Sequence, residues 1–156
     1  MKIIKPFMAL AATAMLSTVM LSMPVFAQEN PKLSDAEIAS VAVVANQVDI
    51  SYGEIAMERS KNEDILNFAE TMISDHRAVI AQASALVKKL GVTPKDNAVS
   101  QKLLADAEKT KKTLRSKSRK AFNKTYIDNE VAYHKAVISA VEGLLIPETE
   151  NKELKA

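Results

Sequence analysis

Two polar motifs interrupt otherwise apolar helical patterns in this chain, Asp75-His76 and Glu130-x-x-x-His134. They contain the only two histidines of the sequence. Glu130 and His134 are four residues apart, so on a helix they share a face and can bind one ion or each other. If the two helices are neighbours in a bundle, His76, Glu130, His134 and Asp75 form a metal site with oxygen and nitrogen ligands. A divalent metal such as iron or zinc suits these ligands.

A structural role is the competing interpretation of the same residues. Each imidazole would then be satisfied by a carboxylate or a hydroxyl, with Asp75 or Glu130 orienting the ring. With two histidines and no repeated Glu-x-x-His motif, the sequence favours this interpretation. Glu54 lies nearly opposite the apolar stripe of the preceding helix, so we expect it to face solvent.

The elements that carry these residues are predicted from apolar periodicity and from capping signals. Asn62 begins a helix that ends before Gly91 and Pro94, and Pro147 ends the last long helix. No strand-type alternation is present, so the predicted class is all-α, an antiparallel helical bundle. We expect the helix of residues 62–91 to be the central one. The predicted helices span residues of about 34–60, 63–90, 98–114 and 119–145.

The first 27 residues have the pattern of a signal peptide. Lys2 and Lys5 precede an apolar stretch, and Val25-Phe26-Ala27 supplies a cleavage site after Ala27. We therefore expect a periplasmic or secreted protein whose residues 28–156 form one domain. An uncleaved membrane anchor is the alternative, but Pro24 and the cleavage site favour removal.

Composition excludes several classes of function. The chain has no cysteine, which excludes thiol catalysis and thiolate metal sites, and it has no Gly-x-Ser-x-Gly motif or glycine-rich phosphate loop. The sequence therefore predicts that the protein is not an enzyme. Removal of Lys2 and Lys5 leaves equal numbers of basic and acidic residues, which argues against a nucleic-acid partner.

A basic segment, residues 109–124, contains eight cations and no acid. A solvated helix face is the commoner explanation of such a run. The functional alternative is a surface that docks an anionic envelope component, such as phospholipid, lipopolysaccharide or an acidic partner. The cations are Lys109, Lys111, Lys112, Arg115, Lys117, Arg119, Lys120 and Lys124.

Three stretches together resemble a bacterial exported family, domain of unknown function 4142. They are Gly-Glu-Ile-Ala at 53–56, Phe-Ala-x-x-Met-Ile-x-Asp-His at 68–76, and Phe-Asn-Lys-Thr-Tyr-Ile-Asp-x-x-Val-x-Tyr-His at 122–134. The resemblance implies a ferritin-like helical bundle in which the helix of residues 98–114 belongs to a connection between core helices. It implies no established activity.

Two departures from the family pattern affect the metal hypothesis. Family members usually continue after Asn-x-x-Leu-Lys, here 151–155, into a last helix with another histidine, so we expect this bundle to lack its last helix. Asn123 stands where the family has an acid. The resulting prediction is a non-catalytic bundle with a structural, stress-related or binding role in the cell envelope. Metal binding and docking to anionic components are the two alternatives.

Overall fold

The computed structural model describes residues 32–156, and the predicted signal peptide lies outside this range. Within it every regular element is helical, which confirms the all-α class. The long helices are α1 (Asp35–Arg59), α2 (Glu63–Lys89), α3 (Ala98–Ser116) and α4 (Arg119–Ala140). A π-helical turn (Val141–Leu145) and two short helices, α5 (Ile146–Glu148) and α6 (Lys152–Lys155), follow.

Local signals in the sequence explain where the first two helices begin and end. Ser34 and Glu37 form a reciprocal capping box at the start of α1. The side chain of Asn62 accepts a hydrogen bond from the backbone N–H of Ile65 and so caps α2. After α2 the chain passes through Gly91 with a φ of 67°, a conformation that glycine adopts without strain.

The helix predicted for residues 119–145 is α-helical only as far as Ala140. Beyond it, the N–H of Ile146 bonds to the carbonyl of Val141, five residues back. Pro147 has no N–H to donate and its ring crowds the preceding turn, so the widened turn just before it has a physical cause.

Helix α1, not α2, is the centre of the bundle, and the prediction made for residues 62–91 was wrong on this point. Helix α1 packs against α2, α3 and α4. Its buried residues lie on several faces, from Ile38 and Ala39 to Ile55 and Ala56, whereas in α2 only Ala69 and Val87 are buried. A helix that is buried on several faces lies inside a bundle, and a one-sided amphipathic helix lies at its surface.

The helices alternate in direction around α1. The N–H of Lys95 donates to the carbonyl of Ala36, so α3 begins beside the start of α1 and runs parallel to it. The hydroxyl of Ser60 donates to Asn123, which places the start of α4 beside the end of α1. These contacts show which residues of α1, α3 and α4 lie at the same height along the bundle.

Two apolar clusters hold the bundle together. A small one joins Leu33, Ile38 and Val41 to Leu145 at the end where α1 begins. The larger one, which we call the packed cluster, fills the other end. Within the described residues no helix has both the length and the apolar content to cross a membrane. The packed cluster consists of Val48, Tyr52, Ile55, Ala56, Ala69, Ala107, Leu114, Phe122 and Tyr126.

Candidate metal centre

A buried carboxylate on the central helix organises the polar residues of the bundle. The side chain of Asp49 is only 1% exposed, and it lies one turn after Ala45 and one turn before Tyr52 on α1. Within residues 32–156 its ion pairs are with His76 and His134, and no lysine or arginine contacts it. Because a buried carboxylate is costly without a compensating cation, Asp49 requires a positive charge from these histidines or from a bound ion.

His76 on α2 faces Asp49 with one ring nitrogen and Asn46 with the other. Its Nε2 lies 3.0 Å from Asp49 Oδ2, and its Nδ1 lies 2.6 Å from Asn46 Oδ1. Since the amide oxygen of Asn46 only accepts hydrogen bonds, Nδ1 carries the hydrogen. When the ring holds a single proton, Nε2 therefore presents a lone pair to the region next to Asp49.

His134 on α4 repeats this arrangement from the opposite side. Its Nε2 lies 3.3 Å from the same Asp49 Oδ2, and its Nδ1 donates to the backbone carbonyl of Glu130 at 2.9 Å. The centroids of the His76 and His134 rings are 5.8 Å apart. Metal-binding histidines usually donate their second nitrogen to a carbonyl or carboxylate, which fixes the tautomer, and both histidines here meet that condition.

The two contacts of Asp49 with the histidines have lengths that suit one metal ion. One ligand atom from each of Asp49, His76 and His134 lies within 4.8 Å of the others, and we call this group the Asp49 centre. With metal–ligand bonds of about 2.1 Å, neighbouring ligand atoms of a tetrahedral or octahedral ion are about 3.0–3.4 Å apart. The two contacts of Asp49 Oδ2, at 3.0 and 3.3 Å, fall in this interval.

Glu130 is a second buried acid beside the Asp49 centre. It is 2% exposed, and its Oε2 lies 4.0 Å from His134 Nδ1. Burial, reinforced by the negative charge and hydrogen bonding of Asp49, raises the pKa of Glu130 to about 9. Glu130 is therefore protonated at neutral pH and can donate a hydrogen bond to Asp49, so the pair carries one negative charge instead of two.

A small cavity gives the Asp49 centre room for further ligands. Its volume is about 60 Å³, and its walls include Asp49, His76 and His134 together with Tyr133 and Val137. A water molecule occupies about 30 Å³ in the liquid, so the space suits one or two waters or a small ligand. An ion held by three side chains would keep open coordination positions on this side.

A close approach of α1 and α2 brings His76 to Asp49. Gly53 faces Ile73 and Ala69 on α2, and a Cβ atom built on it would lie 2.9 Å from Ile73 Cγ1. Ala56 and Ala69 are both fully buried. These small side chains let the two backbones lie close together, so a histidine of α2 can reach a carboxylate of α1.

The structure brings together some of the residues that the sequence singled out and not others. His76 and His134 meet, with Glu130 beside them, but Asp75 is exposed and takes no part in the group. Glu54 is exposed and pairs with Arg77 at the surface. The acid between the histidines is Asp49.

The position of Asp49 in the sequence indicates its burial, although it is absent from the predicted site. Ala45, Asp49, Tyr52 and Ala56 follow one another at intervals of four, three and four residues, which places the carboxylate on the apolar face of the helix. An acid at such a position requires a partner inside the protein. Periodicity alone does not identify that partner.

Fold and site together define a class, an all-α bundle with an Asp-His-His group between three of its helices. The family is shown by comparison: residues 21–156 match the model of the Domain of unknown function (DUF4142), and the chain belongs to this family. Comparisons with curated proteins and with solved structures found no match.

Proposed function

We propose that this protein is an exported helical bundle that binds one divalent transition-metal ion through Asp49, His76 and His134. The observation that carries the proposal is the shared approach of two imidazole Nε2 atoms to one oxygen of a buried carboxylate. Two imidazoles and a carboxylate suit zinc or iron, and the open side of the site leaves positions for exchangeable ligands.

The surroundings of the three ligands support a cation at this place. Within the described residues Asp49 and Glu130 are both buried, and neither pairs with a lysine or an arginine. A metal ion would supply the missing positive charge, with Asn46 and the Glu130 carbonyl holding the imidazoles in position.

Calorimetric titration of zinc into the chelator-treated mature protein tests this proposal. We expect one ion per chain at pH 7.5. Asp49→Asn, His76→Ala and His134→Ala should each lower the affinity by a factor of about 30 or more, since each removes a ligand. Cobalt in place of zinc would report the coordination geometry through its visible absorption.

Asp75→Asn is the matched control for the metal titration. Asp75 is the exposed neighbour of His76 on the same helix, so this variant removes a carboxylate close in sequence without touching the centre. It should bind zinc as the unmodified protein does. Binding well below one ion per chain, or binding that survives Asp49→Asn combined with His76→Ala, would rule out the site.

Docking to an anionic envelope component is a second candidate, favoured by the surface at one end of the bundle. A cleft of about 330 Å³ lies where α1 ends and α4 begins, and three cations line it, Arg59, Lys61 and Arg119. In the basic segment, Lys109, Lys111 and Lys124 pair with acids on their own helices. Within the described residues the other five have no carboxylate within 4.0 Å, which leaves their charge for a partner.

Vesicle sedimentation tests the docking candidate. We expect binding to vesicles of 30% phosphatidylglycerol in phosphatidylethanolamine at 50 mM salt and loss of binding at 300 mM, because surface charges are screened. Arg115→Glu with Arg119→Glu should abolish binding. Lys88→Glu with Lys89→Glu makes the same charge change at the end of α2 and should not. Binding that changes neither with salt nor with Arg115→Glu and Arg119→Glu would exclude this role for the basic segment.

Export is part of the proposal and has its own test. The signal pattern at residues 1–27 supports it, with cleavage after Ala27. Mass spectrometry of protein recovered from the periplasm or the medium should show a chain that begins at Gln28. An intact Met1 terminus on protein recovered from the cytoplasm would contradict export.

A further inference from the structure

A larger cavity lies between α1, α3 and α4. It has a volume of about 320 Å³ and is partly open to the surface. Most of the residues around it are aliphatic, and among the described residues its lining includes no lysine, arginine or histidine. Representative lining residues are Val41, Ala45, Val99, Leu103, Val137 and Leu145.

Three polar side chains of the lining lie toward one end of this cavity. Because α1 and α3 run parallel and α4 runs in the opposite direction, Tyr52, Thr110 and Asn129 lie at the end next to the packed cluster. Asp106 lies one turn from Thr110, and hydrogen bonds from Lys102 and Lys109 lower its pKa to about 2. This end therefore offers hydroxyl and amide groups beside a carboxylate whose charge is paired with two lysines.

The apolar end of the cavity coincides with the π-helical turn. Val141, Leu144 and Leu145 belong to this turn and line the cavity. A π turn places an additional residue in the helix and widens it, and such turns often occur at functional sites. Here the turn directs aliphatic side chains to the space between α4 and α1.

Size and lining together restrict the occupant. A cavity of about 150 Å³ in another protein stays dry and binds benzene, so a volume of about 320 Å³ has room for roughly two fused rings. Small-molecule sites are mostly apolar, with a few polar groups that orient the ligand, and they often lie between the helices of bundles. An anionic ligand is disfavoured, because no lysine, arginine or histidine among the described residues lines the cavity and a buried charge without a partner is costly.

We propose that this cavity is a binding site for an uncharged, apolar small molecule of about the size of naphthalene, with a hydroxyl directed to Tyr52, Thr110 and Asn129. The site goes beyond the proposed metal function and does not require it. Asn46 and Tyr133 line both this cavity and the small one at the Asp49 centre, so the bound molecule lies beside the metal site.

The test compares two probes of the same shape and different charge. 1-Naphthol is uncharged at pH 7 and 1-naphthoate is an anion. Each is titrated into the mature protein in the presence of EDTA, so that failure of metal binding cannot affect the result. We expect saturable binding of one 1-naphthol per chain and an affinity for 1-naphthoate at least tenfold lower.

Filling the cavity supplies the second arm of the experiment. Ala42→Leu and Ala136→Leu place a larger side chain in the cavity from α1 and from α4, and each should weaken 1-naphthol binding at least tenfold. Ala132→Leu is the control, because Ala132 is an exposed residue of α4 that does not line the cavity. Thermal unfolding identifies which variants are folded. One folded variant with a filled cavity, Ala42→Leu or Ala136→Leu, is enough for the comparison with the control.

Three results would overturn the proposal. The first is the absence of saturable 1-naphthol binding up to the solubility limit of the probe. The second is unchanged binding by a folded filling variant. The third is equal affinity for 1-naphthol and 1-naphthoate.

Discussion

The packed cluster and the polar residues around Asp49 share helices α1, α2 and α4, and they are built in opposite ways. In the packed cluster the rings of Phe122 and Tyr126 are stacked at 6.2 Å between centroids, and Phe68 of α2 meets Tyr126 edge to face. One turn along α4 from Tyr126, Glu130 is buried beside Asp49, and within the described residues neither carboxyl group pairs with a lysine or an arginine. The packed cluster stabilises the fold, and the polar residues reduce its stability.

The contrast between the two regions indicates how the bundle tolerates the buried acids Asp49 and Glu130. Burial of two acids without a lysine or an arginine costs free energy that apolar residues of the same size would not cost. The packed cluster offsets this cost and keeps α1 and α4 in register. Retention of such a costly group is consistent with the proposed metal function, because ligands must be present before the ion arrives.

The largest expected effect on the free energy of unfolding comes from disrupting the packed cluster. Phe122→Ala should lower the free energy of unfolding by about 3–5 kcal/mol, because it removes a fully buried ring and leaves a cavity. Urea denaturation of the chelator-treated protein measures this change. Phe122→Leu keeps most of the volume and should cost less than about 1.5 kcal/mol. A cost below about 1 kcal/mol for Phe122→Ala would show that this cluster is not the main source of stability.

The next largest expected effect is a gain in the free energy of unfolding when Glu130 is replaced, and this gain depends on pH. In the folded protein the pKa of Glu130 is about 9, above its ordinary value of 4.5, so its proton is bound in the folded state and lost in the unfolded state between these values. The contribution of Glu130 to the free energy of unfolding is therefore fully present below pH 4.5 and declines as the pH rises to 9. Glu130→Gln keeps the shape of the side chain and removes the titration.

Glu130→Gln should accordingly gain stability relative to the unmodified protein as the pH rises. We expect a relative gain of about 2 kcal/mol between pH 5 and pH 8, smaller than the full shift allows because the buried pair relaxes. Urea denaturation at both pH values, with chelator present, measures it. An equal difference between the two proteins at pH 5 and pH 8 would contradict the raised pKa.

The smallest effect tests the contact that links the two regions. Gly53→Ala should destabilise the protein by about 1–2 kcal/mol, although alanine favours a helix by about 0.5–1 kcal/mol, because its Cβ would meet Ile73 and the Ala69 carbonyl. Gly143→Ala is the matched control, since nothing lies within 4 Å of a Cβ at that position. Thermal unfolding measures both variants, and Gly143→Ala should be neutral or stabilising. If Gly53→Ala instead raised the stability, the backbones of α1 and α2 would not be in close contact at this position.

Much of the architecture could be read from local signals. The capping box at Ser34, the cap at Asn62 and the stop at Gly91 act within a few residues, so the bounds of α1 and α2 follow from sequence. The π turn before Pro147 was missed, because a periodic apolar pattern does not distinguish four-residue from five-residue hydrogen bonding. The choice of α2 as the central helix failed because a strong one-sided stripe marks a surface helix, whereas α1 is buried against three neighbouring helices.

By itself, the sequence determined the helical class, the family pattern and the presence of two histidines on inward-facing positions. Only the tertiary structure decided which acid stands between them. Asp75 is adjacent to His76 in the chain but about 100° away around the helix, on the exposed side. Asp49 is remote in sequence and reaches both rings, because α1 lies between α2 and α4 and the small residues Gly53, Ala56 and Ala69 let α2 approach closely. Coordination depends on distances of a few ångströms across helices, and those distances are set by packing.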